Sequence, residues 1–175
     1  DAVADILEDL HQASVSMGAG GRITREVLSL SLRRHAQNPC YHHVALWHAS
    51  GRGTVFIQDA NSLVLPTDLL VQALEYLKKR VPQTRRITSY ARSSTLARQS
   101  VAELREIREA GLDRIHVGLE SGSDRVLRAV KKGCTAEQHI TAGRNVVEAG
   151  MTLSEYVMPG LGGRELSREH ALETA

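Results

Sequence analysis

Polar side chains that could do chemistry recur along the second half of the chain, each group at the end of a short apolar run. The most informative group follows the apolar run Ile115–Leu119 and consists of Glu120, Ser121 and Ser123. Asp124 then opens a segment with helical spacing, so a carboxylate and two hydroxyls lie where a buried strand gives way to a helix. Ser123 or Asp124 could simply cap that helix. Capping explains Glu120 less well, because it precedes the turn, so the group predicts a ligand-binding edge.

Three other runs end in the same way. Residues 54–57, 86–89 and 153–157 are rich in β-branched or apolar side chains and predict strands. The polar residues at their ends are Asp59, Asn61 and Ser62; Ser89, Tyr90 and Arg92; and Glu155 and Tyr156. Because the carboxyl ends of parallel strands meet at one edge of a sheet, we expect these side chains around one pocket mouth. Loops are polar in most proteins, and for Ser62 and Ser123 that simpler explanation stays open.

Glycines dominate the segment after the last strand. The run Gly160–Gly163 could present backbone N–H groups to a phosphate or carboxylate. It lacks the Lys-Ser/Thr pair of a nucleotide-binding loop, so a tight turn with close backbone approach is an equally good interpretation. His116 lies inside a predicted strand, and we interpret it as a core or inter-layer histidine.

The spacing of the strands predicts the fold class. Their centres, at residues 55, 87, 115 and 153, alternate with helical segments, which indicates repeated βα units and a parallel sheet. Regular spacing favours strands that are neighbours in chain order, as in an arc of a barrel. We therefore predict an α/β fold, a partial TIM-like (β/α) barrel of about four parallel βα units. Residues 1–53 predict a helical section before it, and residues 54–175 the partial barrel. Within them Thr24, Ser100 and Thr135 are predicted helix caps. Helices are also predicted to begin at Tyr41 and Ser167, and the helix that Asp124 opens is predicted to reach Lys132.

Composition excludes several classes of function. The 22 Lys and Arg residues nearly balance the 20 Asp and Glu residues, so there is no electrostatic case for a nucleic-acid or membrane surface. Aromatic residues make up only 3% of the chain, which argues against a base-stacking platform. No apolar run approaches the roughly 20 residues that span a bilayer, and the first segment is acidic rather than a signal peptide. We expect a cytoplasmic protein without nucleic-acid or membrane partners.

Neither the histidines nor the cysteines form a metal-ligand pattern. His42, His43 and His48 lie close together in a predicted helix, but no carboxylate or cysteine lies at ligand spacing, so a solvated helix face is preferred. Cys40 and Cys134 suggest neither a disulfide framework nor a zinc site.

Four segments taken together resemble the core of radical S-adenosylmethionine (radical SAM) enzymes. They read GLDRIHVGLESGSDRVLRAVKKG, FIQDANSL, RITSYARSSTL and EYVMPGLGG, and the resemblance covers roughly residues 54–175. Its most specific part is the run from Gly118 to Gly133. The resemblance implies a partial (β/α) barrel and a [4Fe–4S] cluster held by the cysteines of a C-x-x-x-C-x-x-C motif. It also implies that SAM, bound at the cluster, is cleaved to a 5′-deoxyadenosyl radical that takes a hydrogen atom from the substrate.

The same resemblance implies SAM-binding roles at the strand ends. By position these fall on Asp59 and Asn61; on Ser89, Tyr90 and Arg92; on Glu120 and Ser121; and on Gly160 and Gly162 at the adenine side. A carboxylate at Glu120 suits this role, since it can accept hydrogen bonds from a pair of ribose hydroxyls or from the ammonium group. The resemblance implies no catalytic residue and no metal ligand within the chain.

The sequence departs from this family at the cluster. Cys40 and Cys134 do not make C-x-x-x-C-x-x-C, and the motif occurs nowhere in the 175 residues. We therefore expect a fragment of a longer enzyme, inactive alone, whose first strand and cluster loop precede Asp1 and whose residues 1–53 form the connection. A cut barrel exposes apolar edges, so we expect the fragment to self-associate. We expect the parent's substrate to be a small molecule.

Two other functions stay open. A different (β/α) barrel enzyme, such as a lyase or aldolase, could bind a phosphorylated small molecule at Gly160–Gly163. That class would need a Schiff-base lysine or a metal at a strand end, and only Lys131 and Lys132, which follow a helix, come near one. A non-catalytic domain could instead use residues 1–53 as an interaction surface.

Overall fold

A computed structural model describes residues 2–58 and 60–175, so the candidate Asp59 lies outside the described residues. Within these ranges the chain forms nine α-helices and four β-strands. In chain order they are α1 (Ala2–Ser16), α2 (Arg25–Arg34), α3 (Pro39–Ala49), β1 (Thr54–Ile57), α4 (Thr67–Arg80), β2 (Arg86–Ala91), α5 (Ser93–Leu96), α6 (Val101–Ala110), β3 (Leu112–Glu120), α7 (Asp124–Ala129), α8 (Ala136–Glu148), β4 (Thr152–Val157) and α9 (Gly163–Thr174). A 3₁₀ turn covers Ser62–Val64.

The chain divides into two compact units. One comprises the residues up to Thr54 together with Tyr76–Arg85, and the other comprises Val55–Glu75 and Arg86–Ala175. No helix in the described ranges is long and apolar enough to cross a membrane.

The first unit is built on helices α1, α2 and α3. Thr24 caps α2, accepting a hydrogen bond from the Val27 amide at 3.3 Å, as its position in the sequence predicts. Asn38 caps α3, with Pro39 as the first helical residue, so this helix begins two residues earlier than the predicted Tyr41. The buried residues that the three helices and the segment after α4 enclose are Ile6, Leu7, Leu10, Tyr41, Val44, Ala45 and Val81.

Tyr41 is the polar anchor of this core. Its hydroxyl donates a hydrogen bond to Asp9 Oδ2 at 2.5 Å. Burial, and then the hydrogen bond to the Asp9 carboxylate, raise the pKa of Tyr41 to about 12. The phenol is therefore neutral at any physiological pH.

The second unit is organised by a parallel sheet whose strand order is β1-β2-β3-β4. The register places Tyr90 beside His116, and Gly118 beside Tyr156. Strands that follow one another in the chain are also neighbours in the sheet, with helices in the connections. This is the arrangement of a barrel arc, and it confirms the predicted partial (β/α) barrel.

Helices α5, α6 and α8 pack together on one side of the sheet. The residues buried on that side include Ile87, Ile115 and Val117 from the strands and Leu104, Ile107 and Val146 from the helices. Side chains alternate between the two faces of a strand. Since Ile115 and Val117 are buried against the helices, His116, Gly118 and Glu120 belong to the opposite face, which we call the inner face.

Tertiary pairing moves several predicted boundaries. β3 begins at Leu112 rather than Ile115, because Leu112 pairs with Ile87 of β2. α9 begins at Gly163 rather than Ser167, and the amide of Leu166 already donates to Gly162 O in its first turn. α7 ends at Ala129 rather than reaching Lys132, because Lys131 adopts a left-handed conformation with φ +55°.

Candidate functional site

A cavity of about 760 Å³ opens at the carboxyl edge of the sheet. Its walls come from the ends of β2, β3 and β4 and from the loop that follows α7. The lining residues that could bind or react are Tyr90, Arg92, His116, Glu120, Lys131, Lys132, Cys134 and Tyr156. The cavity therefore gathers four of the residues that the sequence placed at strand ends, namely Tyr90, Arg92, Glu120 and Tyr156.

Glu120 is held in an uncommon backbone conformation. Its φ is +64°, in the region that favours glycine. The amide of Ser121 donates to Leu119 O at 2.8 Å, which closes a three-residue turn around Glu120, and the amide of Met158 donates to Glu120 O at 3.1 Å. Such a conformation costs about 1–3 kcal/mol and persists only where the surroundings enforce it, commonly at functional sites. The hydrogen bonds on both sides of Glu120 supply that enforcement.

Lys132 forms an ion pair with Glu120. The distance from Lys132 Nζ to Glu120 Oε1 is 2.6 Å, and the two side chains are 23% and 28% exposed. The left-handed Lys131 ends α7, and the Lys132 amide donates back to Leu127 O, which returns the chain toward the strand end. At Gly118 a Cβ would lie only 3.0 Å from Lys132 Nζ, so the absent side chain leaves room for the ammonium group.

Each strand contributes one ring to the inner face: Phe56, Tyr90, His116 and Tyr156, which we call the aromatic row. The ring centroids of Phe56 and Tyr90 are 4.9 Å apart, and those of His116 and Tyr156 are 5.6 Å apart. His116 is partly exposed and lines the cavity. The interpretation of His116 as a core histidine is therefore wrong; it shares the face of Glu120 because the two lie an even number of residues apart.

The protonation of His116 follows from its neighbours. Burial, and then the positive charges of Arg114 and Arg86, lower the pKa of His116. Both effects disfavour the imidazolium form. His116 therefore presents a neutral ring near pH 7.

Other predicted site residues lie outside the cavity lining. Ser89 is fully buried, and its hydroxyl donates to Ser62 Oγ at 2.9 Å. Ser121 is also fully buried, with Oγ 2.8 Å from His170 Nδ1. Asn61 ties two loops together, since its Nδ2 donates to Thr95 Oγ1 at 2.9 Å and its Oδ1 accepts from the Arg92 amide at 3.0 Å.

The glycine-rich segment serves close packing. A Cβ at Gly162 would lie 2.8 Å from Leu166 O, so α9 approaches this position too closely for a side chain. Gly160, with φ +83°, lines a separate depression of about 410 Å³ beside His170. Neither glycine lines the main cavity.

A buried hydrogen-bonded chain ends at the cavity wall. Ser93 Oγ lies 2.6 Å from His139 Nδ1, and Cys134 Sγ lies 3.2 Å from His139 Nε2. Burial is the largest cause that raises the pKa of Cys134 and the largest that lowers the pKa of His139. The chain is therefore a neutral thiol, a neutral imidazole and a hydroxyl. Sequence analysis missed it, because Ser93 and His139 are 46 positions apart.

The thiol of Cys134 is expected to react with iodoacetamide more slowly than that of Cys40, by about an order of magnitude, because the thiolate is the reactive form and a raised pKa reduces its population. Cys40 is exposed and serves as the control within the same chain. Timed labelling followed by peptide mass spectrometry measures both rates in one sample. Equal rates at the two positions would contradict the assigned protonation state.

The described residues do not fit an iron–sulfur cluster. Residues 2–58 and 60–175 contain no group of three or more His, Cys, Asp or Glu side chains able to hold a metal ion. Cys40 is exposed and Cys134 contacts His139, whereas a [4Fe–4S] cluster takes several cysteine thiolates at one place.

Comparison with known families decides the identity of the fold. The sequence profile of the Radical SAM superfamily matches residues 42–175. The chain belongs to the radical SAM superfamily. The match includes all four strands, the cavity and Glu120, and it confirms the resemblance seen in the sequence. No curated protein sequence matches the chain.

Solved structures of the same superfamily share the fold. The cobalamin-dependent S-adenosylmethionine radical enzyme OxsB with aqua-cobalamin and S-adenosylmethionine bound matches with a TM-score of 0.50 and 22% identity, over 73% of this chain and 19% of that one. Apo, SeMet-labelled OxsB matches with a TM-score of 0.51 and 20% identity, over 78% of this chain and 22% of that one. At these identities the likeness concerns the fold alone. The chain spans about a fifth of the length of these structures.

Proposed function

We propose that this chain supplies the SAM-binding edge of a radical SAM enzyme, and that the cluster-binding cysteines lie outside these 175 residues. Beside a reduced cluster, bound SAM would supply a 5′-deoxyadenosyl radical able to take a hydrogen atom from the substrate. The residues described here bind and orient SAM, and none of them is assigned a bond-making role.

The observation that carries the proposal is the placement of Glu120. It lies in the most family-specific run of the sequence, at a strand end, with its carboxylate on a cavity of about 760 Å³. A left-handed turn, which is costly for a glutamate, holds it there. A carboxylate on a cavity wall can accept hydrogen bonds from two ribose hydroxyls, or one from an ammonium group, and both groups are present in SAM.

Arg92 and Lys132 provide positive charge near Glu120, and positive charge suits the carboxylate of SAM. Arg92 is exposed at the cavity, and its guanidinium forms no ion pair with any described residue. A guanidinium can bind a carboxylate through two parallel hydrogen bonds, which makes Arg92 the partner we assign to the SAM carboxylate. The ion pair with Lys132 is made through Oε1 of Glu120, and we assign Oε2 to the ligand.

The test is calorimetric titration of the 175-residue chain with SAM, and with ATP as a comparator that has the adenosine but not the amino-acid group. We expect saturable binding of SAM that is clearly tighter than that of ATP. Arg92→Gln should weaken SAM binding by about tenfold, since a charge-assisted hydrogen bond contributes about 1.5–3 kcal/mol.

Arg98→Gln is the matched control, because Arg98 is also exposed and does not line the cavity. It should leave SAM affinity unchanged. If SAM binds no better than ATP, or if the two arginine variants behave alike, the proposed function fails.

A further inference from the structure

The inner face of the sheet holds a large share of the aromatic side chains of the chain. The chain has only six Phe, Tyr and Trp residues, and three of them, Phe56, Tyr90 and Tyr156, lie on the inner face. Together with His116 they place one ring on each strand. Neighbouring centroids are 4.9 Å apart for Phe56–Tyr90, 5.8 Å for Tyr90–His116 and 5.6 Å for His116–Tyr156. The result is a continuous ring surface across the sheet.

The rings are accessible rather than packed into a core. Phe56, Tyr90 and Tyr156 are 36%, 39% and 49% exposed. Large aromatic side chains contribute most to stability when they are fully buried. This row gives up part of that contribution and presents its surface to the cavity, which Tyr90, His116 and Tyr156 line directly.

Two arginines place positive charge beside the His116 ring of the row. Arg114 precedes His116 by two residues and so shares its face, and the charges of Arg114 and Arg86 both act on the His116 ring. The Nε of Arg114 is buried and has no hydrogen-bond partner among the described residues. An unpartnered buried donor is costly, so an acceptor that pairs with this guanidinium through its terminal nitrogens would be favourable, and no described residue is recorded in that role.

The row and the site of Glu120 are separate along the strand. His116 precedes Glu120 by four residues, which corresponds to roughly 13 Å in a parallel strand. A ligand anchored at Glu120 and one stacked on the row can therefore bind next to each other on the inner face.

We propose that the aromatic row, together with Arg114 two residues before His116 on β3, binds the substrate. The substrate we infer is a flat aromatic or conjugated molecule that carries a carboxylate. This inference rests on the proposed function: the ligand of the row is the substrate because SAM occupies the neighbouring site at Glu120. The rings stack on the flat part of the molecule, and Arg114 pairs with its anionic group.

The probe is 2-naphthoate, which is flat and anionic, with 2-naphthalenemethanol as its neutral counterpart. Ligand fluorescence anisotropy measures both affinities for the full 175-residue chain. Tyr156→Leu should weaken naphthoate binding by about 3- to 10-fold, as expected for loss of one aromatic contact. Tyr156→Phe keeps the ring and should stay within about twofold of the wild type. Arg114→Gln should weaken naphthoate by about tenfold and leave naphthalenemethanol unchanged.

Two matched controls guard against general effects of substitution. Tyr76 is 55% exposed and does not line the cavity, so Tyr76→Leu should leave naphthoate affinity unchanged. Arg105 is an exposed arginine of α6, and Arg105→Gln should do the same. If the control variants weaken naphthoate as much as Tyr156→Leu and Arg114→Gln do, or if naphthoate does not bind, the inference is overturned.

S-adenosylhomocysteine separates this inference from the proposed function. Glu120→Gln should weaken S-adenosylhomocysteine binding and spare naphthoate, and Tyr156→Leu should do the reverse. Competitive displacement of naphthoate by S-adenosylhomocysteine would assign the row to the adenosine group and overturn the inference, while the proposed function would stand. Binding of naphthoate without any binding of S-adenosylhomocysteine would overturn the proposed function and support the row as a ligand site.

Discussion

Replacing Glu120 with glutamine is expected to weaken the binding of S-adenosylhomocysteine by about 10- to 100-fold, because hydrogen bonds to a charged acceptor contribute about 1.5–3 kcal/mol. Glutamine keeps the size of the side chain and can occupy the same left-handed turn at a similar cost. The change therefore removes the charge of the acceptor and leaves the cavity wall in place. Isothermal titration calorimetry measures the affinity, and circular dichroism checks that the fold is retained.

Lys132→Met distinguishes the role of the carboxylate from that of the ion pair. The Lys132 ammonium lies 2.6 Å from Glu120 Oε1, so its removal frees that oxygen for the ligand. We expect S-adenosylhomocysteine affinity to stay the same or to increase. A loss as large as that of Glu120→Gln would show that the pair acts as one structural unit, and would contradict a direct role for Glu120. Glu109→Gln removes an exposed carboxylate on α6 and is the net-charge control for Glu120→Gln.

Replacing Gly122 with alanine is expected to lower the free energy of unfolding by about 1–3 kcal/mol, as for other additions of volume to a closely packed site. A Cβ at Gly122 would come far inside contact distance of Glu173 O, and would lie 2.7 Å from Glu173 C and 3.0 Å from Thr174 Cα. All three atoms are backbone of α9, so the helix itself must move. The Gly122 amide also donates to Thr174 Oγ1 at 2.9 Å, and this hydrogen bond would be disturbed.

Gly143→Ala is the matched control for this substitution. Gly143 lies inside α8, and the nearest atom to an added Cβ is Leu153 Cδ2 at 3.3 Å, the end of a flexible side chain. Alanine favours a helix interior over glycine by about 1 kcal/mol, so the control should be neutral or stabilising. Urea denaturation measures both variants. If the two substitutions shift the unfolding midpoint equally, the close approach of α9 to Gly122 is not what makes position 122 sensitive.

The Gly122 substitution also bears on the site, because α9 supports the turn that contains Glu120. Ser121 Oγ lies 2.8 Å from His170 Nδ1, and Ser123 Oγ donates to Glu169 Oε1 at 2.6 Å. His170 is in turn 3.1 Å from Met158 O, at the end of β4. A displaced α9 should therefore weaken ligand binding at Glu120 as well as lower stability.

Local chemistry in the sequence was enough to predict the elements. Thr24, Ser100 and Thr135 cap their helices as predicted, and the last two form complete capping boxes with Glu103 and Gln138. These features depend on residues three positions apart, so short-range interactions decide them. The alternation of strands and helices predicted the parallel sheet for the same reason, since each unit carries its own hydrophobic pattern.

The faces of the strands were less accessible to sequence reasoning. Tyr90, Arg92 and Glu120 lie on the cavity, whereas Ser89 and Ser121, directly beside two of them in the chain, are buried outside its lining. Consecutive side chains of a strand point to opposite faces, so neighbouring residues of one polar group lie on different faces of the sheet. His116 and Glu120 are four residues apart and so share a face of the strand. Placing Glu120 at the ligand-binding edge therefore also predicts that His116 faces the cavity.

Sequence alone determined the fold class, the helix caps and the order of strands and helices, because each depends on neighbours along the chain. Tertiary structure alone decided which side chains meet at the carboxyl edge of the sheet. Lys132 reaches Glu120 only because the chain reverses after α7, and the four rings of the aromatic row come from strands spread over Phe56 to Tyr156. Such contacts join residues with no fixed spacing, and only the register of the folded sheet brings them together.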